Sequence, residues 1–86
     1  MREHYESAVR ALVSEFEALL REEMLERGGT GKGAAPAAVA VVAAIEGFFR
    51  LAAGAPSCVP AGSAAGSIRA IAEGFVAADA AASGGA

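Results

Sequence analysis

Residues 36–54, PAAVAVVAAIEGFFRLAAG, form the most apolar stretch of the chain, and the way this stretch is covered decides the fold. Wound as a helix, it carries Val39, Val41, Val42, Ile45, Phe48, Phe49 and Leu51 on almost every side, broken only by Glu46 and Arg50. A helix that is apolar all round has to be buried. Glu46 and Arg50 stand four residues apart with the acid first, the favourable order for a helical ion pair, so they mark a narrow strip that can face water. The stretch is about long enough to span a bilayer. Two charges near its middle and an apolar content made mostly of alanine argue against insertion, so no membrane span is expected.

Upstream, residues 3–27 place Tyr5, Val9, Leu12, Phe16, Leu19 or Leu20, and Met24 in steps of four and three, one stripe of an amphipathic helix. Glu and Arg fill its other faces, and Glu6 with Arg10 and Glu17 with Arg21 repeat the favourable spacing. The same steps fit a heptad seam, so this helix can either pack on the second one or pair with another chain. It ends at GGTGKG, where glycine takes the left-handed cap conformation cheaply. Lys32 lies in that loop, but a phosphate-binding loop needs four residues between its first Gly and the Gly-Lys pair, then Ser or Thr, and Gly33 follows the lysine. A flexible connector is expected instead.

Pro36 suits the first turn of the second helix, where its missing N–H costs nothing. That helix should run to about residue 53 and stop before GAPSCVPAGSAAG, a loop of prolines, glycines and serines. Residues 66–82 return to a helical pattern, with Ile68, Ile71, Phe75, Ala78 and Ala82 on one stripe, and residues 83–86 form a tail that frays. Gly74 weakens the middle of this third helix by about 1 kcal/mol relative to alanine, unless it permits a close helix contact.

The chain has 86 residues, one domain's worth, and a chain of this size buries only about 60–65% of its unfolded surface. Its core is therefore thin, which favours association with a partner. A first helix about 37 Å long beside two of about 27 Å would overhang at one end, leaving either Leu20, Met24 and Leu25 or Tyr5 and Val9 for a second chain. The net charge of -3 provides no positive field for phosphates, so nucleic acid is not an expected partner. Residues 1–27 carry all of that excess, with four Arg against seven Glu.

A single cysteine, Cys58, allows no internal disulfide, and the lone histidine, His4, is remote from it, so no Cys/His nucleophile is expected. The glutamates of the first helix read as a solvated face, because a helical di-metal site needs Glu-x-x-His pairs that are absent. No enzyme, cofactor or metal is expected. The N-terminus MREHYESAVR has no apolar run behind its charges, so no cleavable signal peptide is expected either.

The segment GSIRAIAEGFVAADAAA, residues 66–82, places Phe75 and Asp79 four apart on one helix face. It resembles the C-terminal segment of small alanine-rich helical substrates of the actinobacterial type VII (ESX) secretion system. There an aromatic, usually Tyr, precedes an acid by four residues and forms part of the export signal. The resemblance implies that Phe75 and Asp79 are offered to a receptor and can be replaced at little cost to folding. It differs in having Phe for Tyr, no Trp for a Trp-x-Gly hairpin turn, and an added charged helix. A partner in a heterodimer would then supply that turn.

The sequence thus predicts an all-α domain of three helices, about 3–27, 36–53 and 66–82, as an antiparallel bundle or a helical hairpin with an added N-terminal amphipathic helix. Its expected function is non-enzymatic protein–protein interaction in a hetero- or homodimer, as a type VII substrate or accessory. Phe16, Leu20, Met24, Phe48 and Phe49 form the expected interface. The alternative is a cytoplasmic homodimeric adaptor or regulatory module. The protein would be cytoplasmic, or secreted without a cleavable signal peptide.

Overall fold

The computed structural model describes residues 2–84, which form three helices: α1 (Arg2–Glu26), α2 (Ala34–Gly54) and α3 (Ser63–Gly84). The fold is all-α, with the helices running up, down and up, so that α2 is antiparallel to both neighbours. A 3-10 turn, Pro56–Cys58, bridges α2 and α3. The elements fall close to the expected ranges. The largest difference is at α3, which begins at Ser63 rather than near Gly66. There Gly62, at φ 75°, turns the chain and the Ser63 N–H donates to the Pro60 carbonyl at 3.1 Å, so the helix starts as soon as the proline is passed. The tail placed at 83–86 is partly taken into α3, and residues 85 and 86 lie outside the described residues.

α1 stops because Gly28, at φ 86°, reverses the backbone. Its N–H donates to the Leu25 carbonyl at 3.1 Å and that of Gly29 to the Met24 carbonyl at 2.8 Å, the paired bonds of a Schellman cap. The chain is thereby turned straight into α2, whose first residues are small. The core forms where these ends meet: Leu20 and Met24 of α1 pack on Ala34, Ala37, Ala38 and Val41 of α2 and on Val76 of α3. Met24 is 0% exposed, held against alanines that let the helices approach closely.

This arrangement corrects the expected interface. The sequence offers Phe16, Leu20 and Met24 to a partner, but Leu20 and Met24 are in the chain's own core and Phe16 is half-buried against it. The antiparallel register matches the large side chains of α1 to the small face of α2, so their partners are internal. At the opposite end of α1 Tyr5 is exposed and Val9 half-buried, and the Tyr5 hydroxyl reaches Glu46 of α2, so the expected overhang is not free of α2.

The three helices converge at the 28–33 loop. There α1 meets α3 through Arg27, whose guanidinium forks onto Glu73 (Nη1–Oε2 2.9 Å, Nη2–Oε1 3.1 Å) while its Nε donates to Glu23 at 2.9 Å. All three side chains are solvent-exposed, so these pairs orient α1 and α3 more than they stabilise them. The body is broad and thin, with principal extents of 45 × 33 × 15 Å. Its radius of gyration is 14.6 Å, against about 12 Å for a compact domain of this length.

Gly74 does not mark a close helix contact, since a Cβ there would meet nothing within 4 Å. Gly74→Ala should therefore stabilise the fold by about 1 kcal/mol. The measurement is urea unfolding, with the midpoint expected to rise at an unchanged slope. A lower midpoint would mean that something does approach Gly74.

Candidate functional site

Two features stand out from the packing of the helices: an acid fastened into a loop at one end, and an apolar groove at the other.

Asp79 is 8% exposed and lies on α3 beside the loop joining α1 and α2. Its Oδ2 accepts the Gly31 N–H at 3.0 Å, its Oδ1 accepts the Gly33 N–H at 3.0 Å, and the Thr30 hydroxyl approaches Oδ1 at 3.5 Å. Thr30 Oγ1 in turn accepts the Lys32 N–H at 3.1 Å, which fixes the turn. Gly33 is the N-cap of α2 and no local side chain caps that helix, so Asp79 supplies the negative charge its N-terminus favours. The Gly31 amide first, then those of Gly33 and Thr30 with the Thr30 hydroxyl, hold the Asp79 carboxyl below its ordinary pKa; partial burial opposes them.

The run of glycines fits this acid closely. A Cβ on Gly29 would collide with the Asp79 carboxylate, and one on Gly33 would stand 3.3 Å from Oδ1. GGTGKG is therefore not the free connector expected from sequence. Its amides do face an anion, and that anion is the chain's own side chain. Lys32 is exposed beside it.

These positions also revise the two residues singled out by the type VII resemblance. Asp79 is an internal tie whose oxygens are already engaged, and Phe75 is half-buried against the core cluster beside Ile71 and Ala72. Neither is displayed on α3 as a free surface pair. The loop partners of Asp79 lie 46–49 residues upstream, and no local pattern in the sequence connects them.

At the opposite end, an open apolar groove of about 360 Å³ runs between the C-terminal half of α2 and the start of α3. α2 contributes Ile45, Phe48, Phe49 and Ala52; α3 contributes Ala64, Ala65 and Ile68; and Val59 closes the end. Phe48 is half-buried, whereas Phe49 is 73% exposed, the most exposed of the large apolar side chains. Of the five residues assigned to a partner interface, these two remain on an accessible surface. The neighbouring Pro56–Cys58 turn leaves Cys58 exposed. Near this end the Tyr5 hydroxyl donates to Glu46 Oε1, tying α1 to α2 and raising the phenol above its ordinary pKa, chiefly through that bond.

Among the described residues, no group of three or more His, Cys, Asp or Glu side chains is placed to hold a metal ion. The fold and these two features describe a small all-α domain, a helical hairpin flanked by an amphipathic helix. No protein-family model, no curated protein and no solved structure matches the chain.

Proposed function

We propose that the chain is a helical protein–protein interaction module, and that association covers an apolar surface its own three helices leave open. The observation that carries this reading is the set of large apolar side chains left in solvent on a flat body. The accessible area is 5802 Å², whereas a compact monomer of 8.5 kDa exposes about 4,650 Å². Leu12, Leu19, Leu25, Val39, Phe49 and Leu51 are all exposed. Phe49, the most exposed of these, lies with Phe48 on one open apolar groove, the kind of patch that marks a binding face. α2 has a mean hydropathy of 1.7 over its best window and is long and apolar enough to cross a membrane, yet only 22% of that window is buried. In this reading protein, not lipid, covers the remainder.

The finer proposal, a type VII substrate or accessory in the cytoplasm or exported without a cleavable signal, rests on the likeness of residues 66–82 alone. Within it, a receptor that reads Phe75 and Asp79 together has to lift α3 from the loop. An export defect in an Asp79 variant therefore reports on recognition only if the fold is intact. The adaptor reading is favoured to the extent that the groove, and not the Phe75–Asp79 region of α3, is the working surface.

Thermal unfolding at several protein concentrations, alone and with the product of a neighbouring reading frame, tests the interaction reading. A partner that binds only the folded chain raises Tm with its concentration. The expected result is such a rise in one of the two series. A monomer with a sharp transition that stays fixed in both would remove the proposal.

A further inference from the structure

We propose that residues 47–67 form a hinged tip that opens and closes on its own while the clasped end of the molecule stays folded, with Gly47 and Gly66 as its hinges. This concerns the chain alone and stands independently of the interaction reading. The packing is one-sided. Among the described residues, every buried side chain falls within residues 20–42 or belongs to Val76 or Asp79. The half-buried residues that rest on this core extend along α2 only to Ile45 and resume on α3 only at Ile68. Between them lie the last two turns of α2, the Pro56–Cys58 turn and the first turn of α3. That segment contains no buried residue, and no side-chain hydrogen bond or ion pair reaches it from the other described residues. The nearest tie, from Tyr5 to Glu46, stops at its root.

Where the two helical segments of the tip should meet, the open groove intervenes, and its walls from Phe48 to Ala65 all belong to the tip. The glycines fall at the boundaries. Gly47 comes just after the last α2 residue on the core, and Gly66 just before Ile68. A Cβ on either would meet nothing within 4 Å, so neither serves to admit a close neighbour. Glycine inside a helix loosens it at that point. Helical segments as short as 47–54 and 63–67 are not stable without tertiary support, so opening the tip exposes their amides. A segment with few buried contacts, bounded by two flexible points, is the setting in which part of a fold opens without the rest. The groove is then a mouth whose width the tip sets.

Hydrogen exchange of the intact chain, followed residue by residue at low urea concentrations, tests this. Amides of residues 48–55, and of 67–70, whose helical acceptors lie in the tip, should exchange about 100-fold or more faster than those of residues 37–42. Their rates should also depend much less on urea, because opening the tip exposes little surface. Asp79→Asn weakens the clasp, so it should speed exchange at residues 37–42 about 10-fold or more and leave residues 48–55 unchanged. Gly47→Ala should slow exchange at the tip about five-fold. The proposal is overturned if the two regions exchange through one common opening with the same urea slope, if Asp79→Asn speeds both alike, or if Gly47→Ala speeds exchange at the tip. The wild-type comparison decides the matter even if Asp79→Asn does not fold.

Discussion

Asp79→Ala is expected to lower Tm by on the order of 10 °C, although the residue removed is acidic and carries little apolar surface. The change leaves the Gly31 and Gly33 amides without their acceptor, takes the Thr30 hydroxyl's partner away, and removes the carboxylate that sits at the α2 N-terminus. Gly29→Ala should reproduce much of the loss from the other side, by forcing the carboxylate out of its seat. The pH dependence separates charge from shape. Because the folded carboxyl titrates below its ordinary value, its contribution is complete above the unfolded value of about 3.9. It is lost as pH falls from there through the lower folded value. Asp79→Asn keeps the shape and abolishes the titration. Its stability deficit relative to wild type should be constant between about pH 7 and pH 5 and should shrink below about pH 4. Urea midpoints measured across that range provide the test, and a deficit that does not change with acid would mean the charge is not what holds the loop.

Met24→Ala should have the largest effect in the apolar core, a loss of about 3 kcal/mol. Met24 is 0% exposed and packs where the three helices converge. Its neighbours there include Ala34, Ala37 and Ala38, which are too short to swing into the space it leaves. A cavity that cannot collapse keeps its full cost. In a domain this small the loss is a large share of total stability, so the variant should unfold at clearly lower urea, or remain folded only when associated. Met24→Leu, nearly the same volume, should cost less than about 1.5 kcal/mol. If both substitutions are equally mild, the core does not centre on this residue.

The helices were legible because their apolar residues recur at helical spacing and glycine and proline clusters separate them. The face of α2 that turns inward was not. With bulky residues on nearly every side, its periodicity offers no preference for one inward face. The structure turns Ala34, Ala37, Ala38 and Val41 inward, since the long side chains of α1 already fill the available space. The rule that decided the packing is complementarity between two helices, which neither segment displays alone. For the same reason Leu20 and Met24 looked unpartnered when α1 was considered by itself.

The Asp79 site was hidden differently. Its acceptor is on α3 and its main donors are backbone amides, which have no side-chain signature, so nothing in the sequence connects the two ends of the bond. GGTGKG was conspicuous, but its glycines serve to leave room for a carboxylate that arrives from far along the chain. The groove was partly legible through Phe48 and Phe49. Its other wall, Ala64, Ala65 and Ile68, lies in a stretch assigned partly to loop, because the start of α3 was placed too late.

During synthesis, the clasp at Asp79 closes late. The α1–α2 hairpin leaves the ribosome with its connecting glycines unfastened and with one side of α2 bare, and only the final helix brings both the acid and Val76 to their places. Until then the growing polypeptide exposes its oiliest segment, the condition in which nascent chains seek chaperones or one another. A product truncated before α3 would remain in that state.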